Sequence, residues 1–166
     1  ARKGEPATRD RVMLELLLGT GIRLSELVGL DIGDVDLDSK RITIRAKGGD
    51  IETRFINANL RRRLRRYLLG RNQVLTDSPA LFLSNRETRI SRRQVQARFQ
   101  HWLLWAGIDR AGLSVHSLRH TFGTRLYRKT RDLVLVGKAM GHRTVEATLI
   151  YVHQDDDDLE DALESL

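Results

Sequence analysis

Two boxes decide how this chain is read: Ser114–His120 (S-V-H-S-L-R-H) and Gly141–Tyr151 (G-H-R-T-V-E-A-T-L-I-Y). They gather His116, Arg119, His120, His142 and Tyr151 within 36 residues. Helical positions three and four apart share a face, so His116, Arg119 and His120 can point the same way. Arginine offers a planar fork of donors matched to phosphate oxygens, and imidazole donates or accepts near neutral pH. Such groups with a phenol, no cysteine and no convergent acidic cluster suit phosphoryl transfer without metal or cofactor. Around the boxes the pattern is helical. Leu118, Phe122 and Leu126 recur every fourth residue after His116, and Leu133, Val136, Ala139 and Met140 form a short second helix. Gly141 breaks it before His142, and Thr144 caps a last helix with Val145, Leu149 and Val152, Tyr151 lying near its end.

Upstream, Thr8 can cap a helix carrying Val12, Met13, Leu16 and Leu17, stopped by Gly19-Thr20-Gly21. Its apolar residues cover more than one face, so a central place is expected. A short helix follows in I-R-L-S-E-L-V-G-L, with Arg23 at its first turn, where free N–H groups already favour an anion. Asp34 to Lys40 is turn-rich. R-I-T-I-R-A then alternates like a half-buried strand, K-G-G-D turns, and I-E-T-R-F-I returns as its partner. Lys47 at this hairpin tip is either plain surface or a deliverable proton donor. Asn59 to Leu69 reads as an amphipathic helix with Leu60, Leu64 and Leu68 inside and five arginines elsewhere. L-F-L-S is a short buried segment. Ser91 caps a helix bearing Val95, Phe99, Trp102, Leu103 and Ala106, in which core packing of Trp102 and Trp105 is favoured over base stacking. The fold class is mainly α with a small antiparallel sheet near residues 41–56 (α+β).

The whole chain has 166 residues, one domain's worth, with 31% charged and no cysteine. Disulfides and thiolate metal sites are thereby excluded, which suits a reducing cytosol, and a nucleoid-associated place is expected. No apolar run approaches the roughly 20 residues that span a bilayer. The A-R-K-G-E-P opening reads as a linker, so a preceding domain is expected. Formal charge is +7, yet seven acids and no base fall within residues 155–164, leaving 29 basic against 15 acidic residues elsewhere. A polyanion partner is favoured by that excess, although charge alone does not decide it.

With these motifs on the page, the chain from about residue 8 to 153 resembles the tyrosine recombinases, the phage-integrase family, in their catalytic domain. G-T-G-I-R-L-S-E-L matches the first arginine motif at Arg23, and K-G-G-D the β-hairpin lysine at Lys47. H-S-L-R-H-T-F-G-T matches the H-x-x-R box at His116 and Arg119, and the last box gives His142 and the nucleophile Tyr151. Serine at 117, where aspartate is common, and the acidic tail depart from the pattern. The resemblance implies metal-free, site-specific cleavage and exchange of double-stranded DNA through a 3′-phosphotyrosyl link, within a tetramer on two sites. Arg23 and Arg119 would clamp the scissile phosphate and His142 add a donor. His116 would accept a proton or orient, and Lys47 would protonate the departing 5′ oxygen. Residues 1–154 would be the breaking-rejoining domain and 155–166 an acidic tail. Leu159, Ala162, Leu163 and Leu166 could form one stripe of that tail, docking on a neighbouring protomer.

Rival readings are a type IB topoisomerase, a telomere-resolving enzyme, or a non-catalytic DNA-binding module. Zinc on His116 and His120 lacks the H-E-x-x-H glutamate and further ligands. Tyr67 and Tyr127 compete as nucleophiles, but neither follows a G-H box.

Overall fold

Apolar spacing puts the first helix at the centre of the computed structural model, which describes residues 5–45, 49–108, 112–141 and 147–151, with the backbone alone for 5–7. In α1 (Glu5–Thr20), Val12, Met13, Leu16 and Leu17 are all buried, and the helix packs against α3 (Ala58–Arg71), α4 (Arg92–Trp105) and α5 (Val115–Thr130). It starts three residues before the expected cap, so Thr8 lies inside it. Pro6 sits in the first turn, where a missing N–H breaks no intrahelical bond. Gly21, at φ +63°, ends the helix in the left-handed region, and a Cβ there would collide with Phe122 of α5.

α2 (Leu24–Gly29) and a 3-10 turn (Ile32–Asp34) lead to a three-stranded antiparallel sheet, β1 (Val35–Asp36), β2 (Arg41–Arg45) and β3 (Ile51–Phe55), in that order. Ile42 and Ile44 are buried as the alternation requires, opposite Arg54 and Glu52. β1 was not expected from a stretch that reads as turns. The Asp36 carboxylate accepts from the backbone N–H of Asp38 and Ser39 at 3.0 and 2.9 Å, folding the chain back so that Val35 pairs Ile42. Two residues are too few for a period to register.

The α3 cap is Asn57, whose side chain accepts from Leu60 N–H at 2.9 Å, so the helix starts just before the expected Asn59. The Tyr67 hydroxyl donates to Leu81 O at 2.9 Å, and Arg71 to Ala80 O and Ser78 O, which pins the buried segment 80–83. Ser91 caps α4 as expected. Asp10, 1% exposed, joins α1 to α4 by accepting from Arg98 Nε at 2.6 Å and Trp102 Nε1 at 3.0 Å. The expected core stripe fails beyond that point. Trp105 is 76% exposed and Ala106 is exposed too: both line an apolar groove with Leu14 of α1, while Trp102 turns its indole to Asp10.

A second cluster joins Val136 and Met140 of α6 (Leu133–Met140) to Tyr151, with Phe122, Leu126 and Tyr127 against them. Asp132 caps α6, and Gly141 closes it at φ +62°. In the helical segment 147–151, Thr148 and Tyr151 face inward while Leu149 is 42% exposed. The side chains i and i+3 of this turn are taken by the polar pair, and Leu149 falls between them. Thr144, Val145, Val152 and the acidic tail lie outside the described residues. The fold is mainly helical with a small antiparallel sheet, and among the described residues no helix is long and apolar enough to cross a membrane.

Candidate active site

Arg23 stands at the N-cap of α2, in extended backbone just after the Gly21 turn. Its backbone N–H donates to Glu26 Oε2 at 2.7 Å and its guanidinium to Glu26 Oε1 at 2.9 Å. Glu26 is almost fully buried while Arg23 stays partly open, so the carboxylate fixes one edge of the guanidinium and leaves the rest to the solvent side. The signal for Glu26 was in the sequence as a capping-box acid three residues after the cap.

Arg119 projects from the first turns of α5 and is buried. One terminal nitrogen donates to Gly21 O, the other to Met140 O at 2.6 Å. One side chain thereby ties the turn before Arg23 to the C-terminus of α6, the residue pair before His142. Burial, and then the charge of Arg23, bring its pKa down to about 10, against the opposing pull of Glu26 and Tyr151. It remains a cation at neutral pH. A partly desolvated cation beside another cation is a receptor for an anion.

His116 is exposed on the first turn of α5 and lines, with Arg23, Arg119 and Ser114, a cleft of about 210 Å³. His120 follows one turn later, its ring 4.9 Å from that of His116 and nearly perpendicular to it. The ring of Tyr151 lies 6.1 Å from that of His120. Tyr151 is 1% exposed, and burial raises its pKa while Arg119 opposes the rise. Its phenol rests on Gly123, where a Cβ would overlap Cζ and come within 2.8 Å of Met140 Sδ.

Arg54, which the sequence reading did not single out, is the buried position of β3. It pairs with Glu52 at 2.6 Å, and both reach Gly141, where a Cβ would lie 2.6 Å from each. Its Nε is buried without a hydrogen-bond partner, and its charge is felt at Arg119. An arginine at an inward strand register was the available signal. Lys47 and His142 lie outside the described residues. The strands leading to Lys47, and Gly141 before His142, border the same region. Tyr67 is bonded to Leu81 O in the main core, and Tyr127 sits under Arg131 in the second cluster. Among the described residues no three His, Cys, Asp or Glu converge to hold a metal ion.

The model of the phage integrase family matches residues 1–158. Tyrosine recombinase XerC of Salmonella typhi is 40% identical over 149 residues, 90% of this chain and 49% of that relative. XerA recombinase superposes with a TM-score of 0.86 at 31% identity, over 98% of this chain and 59% of its own. A XerH site-specific recombinase bound to a palindromic difH substrate, in a post-cleavage complex, gives 0.84 at 27% identity, covering 98% and 47%. The chain spans about half the length of the curated relatives it matches.

Proposed function

The chain belongs to the phage integrase family, and from that premise we propose that it is the DNA breaking-and-rejoining part of a site-specific tyrosine recombinase. One observation carries the reading: Arg23, His116 and Arg119 border a single cleft, and Tyr151 lies within the field of Arg119. A phenol with a reference pKa of about 10 is a poor nucleophile at pH 7 and needs an electropositive site and a proton acceptor. Arg23 and Arg119 clamp the nonbridging oxygens of the scissile phosphate and stabilise the charge of the pentacoordinate transition state. Tyr151 Oη attacks phosphorus, its proton leaves towards His116, which accepts it or orients the exchange, and the P–O5′ bond breaks. Lys47 protonates the departing oxygen, and His142 adds a donor to the phosphate. The 3′-phosphotyrosyl ester keeps the bond energy, so a second 5′-hydroxyl reseals the strand. Double-stranded DNA is the partner, and two sites held by four protomers are the proposed assembly. Residues 1–154 form the reacting domain and 155–166 its acidic appendage.

The test uses a library of nicked duplexes, in which the short 5′-hydroxyl fragment diffuses away and traps the covalent intermediate. Wild-type protein is expected to form an adduct that survives denaturation and maps to Tyr151. Tyr151→Phe should bind DNA and form none. An adduct that persists in that variant, or that maps to Tyr67 or Tyr127, sinks the assignment.

A further inference from the structure

The reaction above leaves His120 without a part, although its ring neighbours both that of the proposed nucleophile and that of His116, which lines the cleft. It is half-buried, with the ring of His116 at 4.9 Å and that of Tyr151 at 6.1 Å. Gly123, three residues on and so on the same helical face, is where the hydroxyl-bearing Cζ of Tyr151 rests. The phenol end thus lies against the very face of α5 that carries His120. His116, by contrast, is exposed and borders the phosphate cleft with Arg23 and Arg119. We infer that His120 takes the proton of Tyr151 during attack and hands it to His116, which returns it to water.

This rests on the reading of Tyr151 as nucleophile. The step balances as follows. The Tyr151 Oη–H bond breaks, its proton moves to the unprotonated ring nitrogen of His120, and the Oη–P bond forms as P–O5′ breaks, with Lys47 supplying the proton of the leaving hydroxyl. The His120 imidazolium then loses its proton through His116. Resealing runs the same relay backwards and restores the phenol. Among the described residues, the groups that act on His120 are His116 and Arg119 from its own helix, with Tyr151 of segment 147–151 beside it. Burial first, then His116 and Arg119, hold its pKa below the usual 6.5, so it is neutral at pH 7 and free to accept. Against a phenol whose pKa is raised, full transfer before attack is unfavourable, and the proton moves as the new bond forms.

The experiment measures single-turnover adduct formation on a nicked duplex between about pH 5 and 8, where an imidazole titrates, alongside DNA affinity and thermal midpoint. Wild-type rate should rise with pH through an apparent pKa below 6.5. His120→Asn and His120→Phe should each lose roughly a hundredfold or more in rate and lose that acid limb, with affinity unchanged. His116→Asn should keep the limb but move it to higher pH, because a neighbour that depresses the His120 pKa is gone. If His120→Phe, which keeps a ring but no nitrogen, cleaves at the wild-type rate with the limb intact, His120 only packs and the inference is overturned. A limb kept in His120→Asn but lost in His116→Asn overturns it also. Absence of any wild-type adduct defeats the recombinase reading instead.

Discussion

At the scale of single residues, the weight falls on Arg119, a buried cation that donates to two backbone carbonyls. Lysine keeps the charge but cannot bridge Gly21 O and Met140 O and still present a fork to phosphate. Arg119→Lys should therefore slow adduct formation roughly 100- to 1,000-fold, about 3–4 kcal/mol of transition-state stabilisation, while DNA affinity falls much less. Arg23→Lys should behave alike. Near wild-type cleavage by either variant, followed in a time course of adduct formation, would remove the clamp from the mechanism. Tyr151 supplies a different test, of stability against pH. Its pKa is raised in the fold, so below about pH 10 folded and unfolded phenols are both neutral and nothing is felt. Above that value the unfolded chain ionises first, and stability drops as pH rises through the folded pKa. Thermal melts at about pH 9 and 11 should show Tyr151→Phe losing less stability than wild type. Equal losses would say that the phenol is not held in its neutral form.

Elements meet at glycines and at one carboxylate. Gly123 lets segment 147–151 lay Tyr151 against α5, and a Cβ there overlaps the phenol and crowds Met140. Gly123→Ala should cost about 1–3 kcal/mol by overpacking, read from the denaturant midpoint, and should displace the nucleophile so that cleavage falls by more than the lost stability explains. A midpoint and rate both like wild type would place Tyr151 elsewhere in the working enzyme. Asp10 does for α1 and α4 what Gly123 does for α5: Asp10→Ala strands Trp102 Nε1 and Arg98, and about 3 kcal/mol of stability should vanish without any change in the site's chemistry. The boundaries of what sequence reveals follow from the same elements. The amphipathic helices, the Ser91 cap and the β2–β3 hairpin were legible because each is announced by a local period or a cap. β1 was not, being two residues held by an Asp36 turn. Trp105 was misplaced because periodicity does not say how deeply a position sits in the groove between two helices. Arg23, His116 and Arg119, which the family resemblance singled out, border one cleft, and Tyr151 lies beside His120 one turn along α5. Arg54 and Gly123 escaped because their contacts with Gly141 and Tyr151 exist only once distant elements are brought together, whereas Glu26 carried a local capping signal that was passed over.

For the whole molecule, charge is the organising quantity. Exposed arginines run along the outer faces of α3 (Arg62, Arg65, Arg66) and α4 (Arg92, Arg93), while others such as Arg63 and Arg71 are engaged by Glu15 and backbone carbonyls. Arg62 also donates to Asn59 Oδ1 of its own helix, and these exposed guanidiniums are the phosphate contacts that the two faces offer outside the cleft. Each that engages a phosphate should add about 0.9 to the slope of log affinity against log salt, so charge-neutral replacement on one face flattens the line if that face meets DNA. The acidic tail bears on the same measurement. Its seven acids lower an excess of 14 positive charges to the formal +7 of the chain. A tail that competes with DNA for the basic face would do so through screened, solvent-exposed charges, effective at low salt and negligible near 1 M, where the Debye length is only about 3 Å. Deleting residues 155–166 should therefore tighten DNA binding at about 0.05 M salt, steepen the salt slope, and leave affinity near 1 M and the thermal midpoint unchanged. Should affinity at low salt stay the same in that truncation, the tail does not lie over the DNA-binding face, and its place is on another protomer or in free solvent.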